Sequence, residues 1–167
     1  DGFPTSFNEG AEYYINTVFD DALKKSNKKT YQQMIFDIAE LEYKKQEPFI
    51  LIPDKNKEEM AKFIEENNLL GKRIIGLNIG SSKTWPSKAW SKDKIKAFIP
   101  KAKEDGYEIL LLGGEDEKLI MDEIYNLMMG KEIKIYKRNT SNLLKDFFAT
   151  ISFCEVIICG DTLALHV

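Results

Sequence analysis

The sequence predicts an α/β protein: a Rossmann-like parallel sheet with flanking helices, preceded by a helical segment. Three observations predict it. From residue 72 onward, short apolar runs alternate with longer segments of helical period. The runs are almost continuously apolar, as strands covered on both faces must be. The intervening segments are long enough to cross over to a parallel neighbour, which a hairpin turn could not do.

The elements follow in order. In residues 7–45, Ala11, Tyr14, Ile15, Val18, Phe19 and Ala22 recur at helical spacing, with Asn8 as a cap. Ser26-Asn27 breaks that pattern, and Thr30 opens a second helix lined by Tyr31, Met34, Ile35, Ile38 and Leu41. Phe49-Ile50-Leu51-Ile52 reads as a short extended run closed by Pro53. Asp54 or Asn56 then caps a helix presenting Met60, Phe63, Ile64 and Leu69, which Gly71 stops. The first strand is expected over Arg73–Ile79. A helix capped by Ser91 follows, with Ile95, Phe98, Ile99 and Ala102 inward and a kink at Pro100. Glu108–Leu112 is the second strand, and Leu119, Ile120, Ile124, Leu127 and Met128 line the next helix. Ile133–Tyr136 is the third strand. Ser141 caps a helix with Leu143, Leu144, Phe147, Phe148 and Ile151, and Val156–Cys159 is the fourth strand. The domain boundary is expected at Leu70-Gly71, giving a helical segment over 1–70 that belongs to a neighbouring lobe or linker, and a Rossmann-like domain over 71–167.

Composition narrows the function. At 167 residues, 43% hydrophobic and 31% charged, the chain can build one ordinary core plus an appendage. A formal net charge of -3 supplies no basic field for nucleic acid. Cys154 and Cys159 lack Cys-x-x-Cys spacing and are expected to be buried thiols in a reducing compartment. His166 is the single histidine, so no metal site built on a histidine cluster is expected. No run of 18 apolar residues and no signal peptide is present, so no membrane crossing is expected. The chain opens on Asp1 and closes on Val167, directly after a motif, and both ends are expected to be cuts.

In a doubly wound sheet the ligand lies beyond the carboxyl ends of the strands. After the first strand comes Gly80-Ser81-Ser82-Lys83-Thr84-Trp85: a glycine for a sharp turn, hydroxyls and amides to face an anion, and a lysine charge. It is neither a Gly-x-Gly-x-x-Gly fingerprint nor a Walker A loop, so spacing alone also admits a plain surface turn. Trp85 and Trp90 are expected to pack the loop down. After the second strand, Gly113-Gly114-Glu115-Asp116-Glu117 can either meet ribose hydroxyls or simply start a helix with acids. After the fourth, Asp161 and Thr162 suit a helix N-cap as well as a ligand. His166 stands about one helical turn further on, aimed at the same pocket or packed semi-buried beside Leu165 and Val167.

Taken as an ordered set, these motifs resemble glycosyltransferase family 9, the ADP-heptose:lipopolysaccharide heptosyltransferases. The resemblance rests on Ile79-Gly80-Ser81-Ser82-Lys83-Thr84-Trp85-Pro86 followed by Trp90, on Leu110-Leu111-Leu112-Gly113-Gly114, and on the Thr140-Ser141-Asn142-Leu143 turn. It ends at Asp161-Thr162-Leu163-Ala164-Leu165-His166, similar to the family's Asp-Thr/Ser-Gly-x-x-His, and covers residues 72–167. Leu163 departs from the pattern, because the family usually has glycine there.

The resemblance implies an incomplete carboxyl-terminal lobe of a GT-B fold, the lobe that binds the nucleotide sugar. It implies Ser81, Ser82 and Lys83 on the diphosphate, with Gly80 at the turn, and Glu117 (or Asp116) on the ribose. It further implies backbone around Asn139 and Thr140 at the adenine, Asp161 on sugar hydroxyls, Thr162 on phosphate and His166 supporting that loop. The implied reaction is inverting transfer of a heptose, from ADP-heptose or a related donor, to a lipopolysaccharide inner-core acceptor, without a metal or other cofactor. Lys83 would stabilise the leaving diphosphate, and the general base would lie outside this chain. A cytoplasmic setting is implied, with at most peripheral contact at the inner face of the inner membrane. Self-association through an exposed sheet edge is a further expectation. Two other classes fit the same loops: a non-catalytic nucleotide-binding or interaction module, and another sugar-nucleotide enzyme such as an epimerase.

Overall fold

The computed structural model describes residues 5–47, 49–80, 89–138 and 143–167. The chain divides into two compact units, Asp1–Phe49 and Ile50–Val167.

The first unit holds helices α1 (Glu9–Phe19), α2 (Asp21–Ser26) and α3 (Tyr31–Ile38). Asn8 caps α1 as its position predicts: its side chain accepts from the Ala11 amide and donates to the Ile38 carbonyl, each at 2.8 Å. Thr30 caps α3 by accepting from the Gln33 amide at 3.1 Å. The helical pattern breaks earlier than expected, at Asp20, whose carboxylate takes the Ala22 and Leu23 amides and so starts α2. Of the apolar positions expected to face inward, Ala11 and Met34 are buried, whereas Val18, Phe19, Tyr31 and Ile35 stay exposed. Three short helices have too little surface to cover one another.

The second unit holds helix α4 (Asp54–Glu66), strand β1 (Arg73–Asn78), helix α5 (Lys92–Glu104), strand β2 (Tyr107–Leu112) and helix α6 (Lys118–Met129). Strand β3 (Tyr136–Lys137), helix α7 (Leu144–Ser152) and strand β4 (Val156–Ile158) complete it. The four strands are parallel, in the order β3-β2-β1-β4. Strand pleating divides the core between two faces. Ile75, Leu77, Ile79, Ile109 and Leu111 pack on Ile95, Ile99 and Ala102 of α5 and on Met121, Ile124 and Met128 of α6. The opposite face carries Ile74, Leu110, Leu112 and Tyr136, covered by Met60 and Ile64 of α4, by Leu69, and by Ala149 of α7. The predicted sheet, flanked by helices on both faces, is therefore what the chain forms.

Several expectations are corrected. The compact units part at Phe49/Ile50, not at Leu70-Gly71, because α4 is one of the sheet's covering helices, with Met60 0% and Ile64 3% exposed. Residues 49–52 join no ladder; Phe49 and Leu51 are exposed, and Ile52 packs against the α4 face. Pro53, not Asp54 or Asn56, occupies the α4 cap, and the Asn56 side-chain amide donates to Asp146 of α7 at 2.5 Å. Pro100 sits inside α5 without ending it, since the faces on either side of it, Ile95, Ile99 and Ala102, are held on the sheet. Leu119 points outward while Met121 takes the buried place in α6. Strand β3 starts three residues later than expected, although Ile135 is buried. Leu143 and Leu144 remain exposed at the start of α7; Ser141, expected to cap it, lies outside the described residues. Past β4 a single 3-10 turn, Leu163–Leu165, stands where a helix was expected.

Candidate functional site

In a parallel sheet all four strands deliver their following loops to one edge. The chain builds β1, β2 and β3 outward in one direction and then returns to place β4 on the free side of β1. The reversal therefore falls between β1 and β4, and the carboxyl ends of such a strand pair are where a doubly wound sheet places its ligand crevice.

Asn78, the last residue of β1, stands at that crevice and is 9% exposed. Its side-chain amide donates to the Thr162 hydroxyl at 3.0 Å, joining the end of β1 to the loop after β4. Its carbonyl oxygen accepts from the Gly80 amide at 3.4 Å. The ladder extends one step beyond β1, with the Ile79 amide donating to the Leu112 carbonyl. No sequence motif announced Asn78. The signal available was one polar side chain in the run Ile74–Ile79, where an amide is costly to bury unless it is bonded.

Glu117 ends a 3-10 turn, Glu115–Glu117, that leads from β2 into α6. Its carboxylate accepts from the Gly114 amide at 2.9 Å, and its own amide donates back to the Gly114 carbonyl. The side chain lies across both glycine positions. A Cβ on Gly80 would sit 2.5 Å from its Cδ, and one on Gly113 would sit 2.7 Å from its Cβ and 2.9 Å from the Met121 sulfur. Gly80 was read as a turn-maker. Among the described glycines, however, the left-handed ones are Gly71 and Gly106, so glycine is needed at 80 for room rather than for φ. The loops after β1 and β2 thus touch through Glu117.

Asp161, Thr162 and His166 share one turn. His166 Nε2 lies 3.8 Å from Asp161 Oδ1, and both side chains are more than half exposed. The Thr162 carbonyl accepts from the Leu165 amide, closing the turn over buried Ala164. Leu163, at the position where glycine was anticipated, is half exposed and does not have a left-handed φ. Its side chain therefore brings no backbone strain to this turn. Ser81, Ser82, Lys83, Asn139 and Thr140 lie outside the described residues, as does Trp85. Trp90 packs edge-on against Phe98, ring centres 5.7 Å apart, pinning the approach to α5. Beyond β3, Arg138 donates to the Thr150 hydroxyl at 2.9 Å and faces the Phe63 ring, so it ties α4, β3 and α7 together.

Among the described residues no group of three or more His, Cys, Asp or Glu side chains is placed to hold a metal ion. Both cysteines are free and half-buried, less enclosed than the sequence suggested. Burial still pushes the Cys154 thiol up to about 12 and raises Cys159 as well, which keeps both protonated and poor nucleophiles near neutrality. Among the described residues no helix is long and apolar enough to cross a membrane.

The family model described as "Glycosyltransferase family 9 (heptosyltransferase)" matches residues 9–167. Lipooligosaccharide heptosyltransferase 2 of Campylobacter jejuni subsp. jejuni serotype O:6 is 28% identical over 102 residues, which is 58% of this chain and 30% of that protein. Its serotype O:2 counterpart is 28% identical over 101 residues, with the same coverage. The chain thus spans under a third of the length of the curated relatives it matches. Among solved structures, the glycosyl transferase family 9 protein of Veillonella parvula superposes with a TM-score of 0.67 at 20% identity, over 84% of this chain and 41% of that one. The E. coli ADP-heptose LPS heptosyltransferase II gives 0.59 at 17% identity, over 77% and 38%. These two likenesses speak to the fold, which they share with this sheet. The match of the family model, from the first helix to the final residue, settles the membership: this chain belongs to glycosyltransferase family 9.

Proposed function

We propose that this chain binds the donor of an inverting glycosyltransferase, a nucleoside-diphosphate sugar with ADP-heptose as the expected species, for transfer to a lipopolysaccharide inner-core acceptor. One observation carries the reading: the loops after β1, β2 and β4 are joined at one crevice through the Asn78–Thr162 and Gly80–Glu117 contacts. Family membership and the names of the matched heptosyltransferases support the choice of donor.

In the proposed reaction an acceptor hydroxyl oxygen attacks the anomeric carbon from the face opposite the diphosphate. The bond from that carbon to the β-phosphate oxygen breaks, and the nucleoside diphosphate leaves with the electron pair. A carboxylate outside these residues takes the hydroxyl proton. Negative charge builds on the departing phosphate, where Lys83, the Ser81 and Ser82 hydroxyls and Thr162 are assigned to meet it. Glu117 is assigned to the ribose, Asn139 and Thr140 to the base, and Asp161 to sugar hydroxyls with His166 beside it. The reading uses no metal, and the working place proposed is the cytoplasmic face of the inner membrane.

Calorimetric titration of this chain with ADP, ADP-heptose and UDP-sugars tests it. Preference for the adenine compounds, unchanged by a chelator, is the expected result. Preference for uridine compounds would move the chain to another sugar-nucleotide chemistry, and no binding at all would leave an interaction module. The isolated chain is expected to bind donor without transferring heptose.

A further inference from the structure

We infer that Asn78 is a positioning residue for the donor: it locks the loops after β1 and β4 together and commits the Thr162 hydroxyl to donate its proton to an anionic oxygen. The inference rests on the donor-binding reading above and deepens it.

The orientation of the Asn78 amide is fixed by its partners. The Gly80 amide can only donate, so the side-chain oxygen must face it at 3.4 Å, and the nitrogen is turned toward Thr162. That nitrogen can only donate, so at 3.0 Å the Thr162 oxygen must accept. A threonine hydroxyl has one proton, and with its oxygen engaged in accepting from Asn78, that proton points elsewhere. An O–H presented in this way favours a charged acceptor such as a phosphate oxygen over a neutral one. The link spans 84 residues of sequence, and it sets the separation of the two loops that flank the crevice. Asn78 is 9% exposed between Leu77 and Ile79, both almost fully buried, where a hydrocarbon side chain would pack without needing partners. Among the described residues no buried side-chain nitrogen or oxygen lacks a partner, so the amide's cost is offset by these two bonds.

The test uses this chain with ADP and adenosine as probes, titrated calorimetrically, with thermal midpoints recorded. Asn78→Leu keeps the volume and loses both bonds. Asn78→Asp keeps acceptance from Gly80 but turns an acceptor toward Thr162, drawing its proton inward. Thr162→Val removes the hydroxyl, and Thr162→Ser restores it. Each of the first three is expected to weaken ADP binding about tenfold, the scale of one charge-assisted hydrogen bond, and adenosine binding less than about twofold. Thr162→Ser should stay within about threefold of the parent. The double variants carrying Thr162→Val should bind ADP no more weakly than the weaker single variant, because Asn78 acts through that hydroxyl. Equal losses for ADP and adenosine, or multiplied losses in the doubles, would overturn the inference. If Asn78→Leu does not fold, the Asn78→Asp cycle decides, since an effect of charge alone would multiply with Thr162→Val. A parent chain that ignores ADP sinks the donor reading itself, whereas a parent that binds ADP beside variants that bind it equally well sinks only the role of Asn78.

Discussion

Placing a methyl group on Gly80 tests whether the loops after β1 and β2 are physically in contact. In Gly80→Ala the new Cβ would fall 2.5 Å from Glu117 Cδ and 2.6 Å from its Cγ and Oε1. Unbonded carbons settle at about 3.5–4.0 Å, so the Glu117 side chain must retreat by about an ångström. The easiest retreat is rotation outward, which gives up the 2.9 Å bond from the Gly114 amide. Overpacking relieved by that rotation costs about 1 kcal/mol, the low end of the usual range of about 1–3 kcal/mol, and the lost half-buried hydrogen bond about 1 kcal/mol, so the substitution should cost about 2 kcal/mol. Glu117→Ala alone forfeits only the bond, about 1 kcal/mol. The double variant is the discriminating one. The three atoms nearest to the added methyl group all lie beyond the Glu117 Cβ, so removing them relieves its closest contacts. Its total should be about 1 kcal/mol, against about 3 kcal/mol if the effects simply added. Urea unfolding followed by tryptophan fluorescence suits the measurement, because Trp85 and Trp90 both belong to the second unit. A loss of about 2 kcal/mol moves the midpoint by about 1 M. Additive losses would show that Gly80 and Glu117 do not meet.

Lys83→Ala should weaken ADP binding by about tenfold or more while adenosine binding barely changes, as calorimetry would show; an equal loss for both would remove Lys83 from the diphosphate. Met60→Ala, at a position with no exposure, should cost about 2–5 kcal/mol, and Leu51→Ala, at 83% exposure, about 0.5 kcal/mol or less. Equal unfolding midpoints for those two would detach α4 from the sheet. The Cys154 thiol, pushed to about 12 from an ordinary 9.0, stays neutral in the folded chain after the unfolded chain has begun to ionise. Its contribution is therefore intact below about pH 9 and is lost as pH rises toward about 12, by at most about 1.4 kcal/mol per pH unit. Denaturation profiles of the parent and Cys154→Ala should converge across that window; parallel profiles would refute the burial effect.

The parts of the fold that were legible in the sequence are those whose pattern depends on the chain alone. Strands β1 and β2 are continuous apolar runs, and both lie where expected to within a residue. Helix α4 was legible as a helix, but an amphipathic stripe does not say which partner it covers, and its place on the sheet came from packing. The same gap explains Leu119 and Met121, which flank Ile120 on either side of the apolar stripe, so that packing alone decides that Met121 is the buried one. At the crevice, the loop glycines and Glu117 could be located from their sequence, whereas their mutual contact could not, because it joins side chains from separate loops. Asn78 was the largest omission: a single amide in a strand forms no motif, and its meaning appears only once Thr162, 84 residues away, is brought beside it.

The sheet order has a consequence for assembly. Strand β2 pairs with β1 after a short crossover, Arg73 opposite Tyr107, but β4 must close a much longer loop, Ile75 opposite Val156. Closing the longer loop demands more chain entropy, and as synthesis proceeds β4 is the last of the four to emerge. A nascent chain can therefore have most of its hydrophobic interior in place while β4 and the loop after it have yet to arrive, so the donor binding proposed above would be acquired late, with the docking of a three-residue strand.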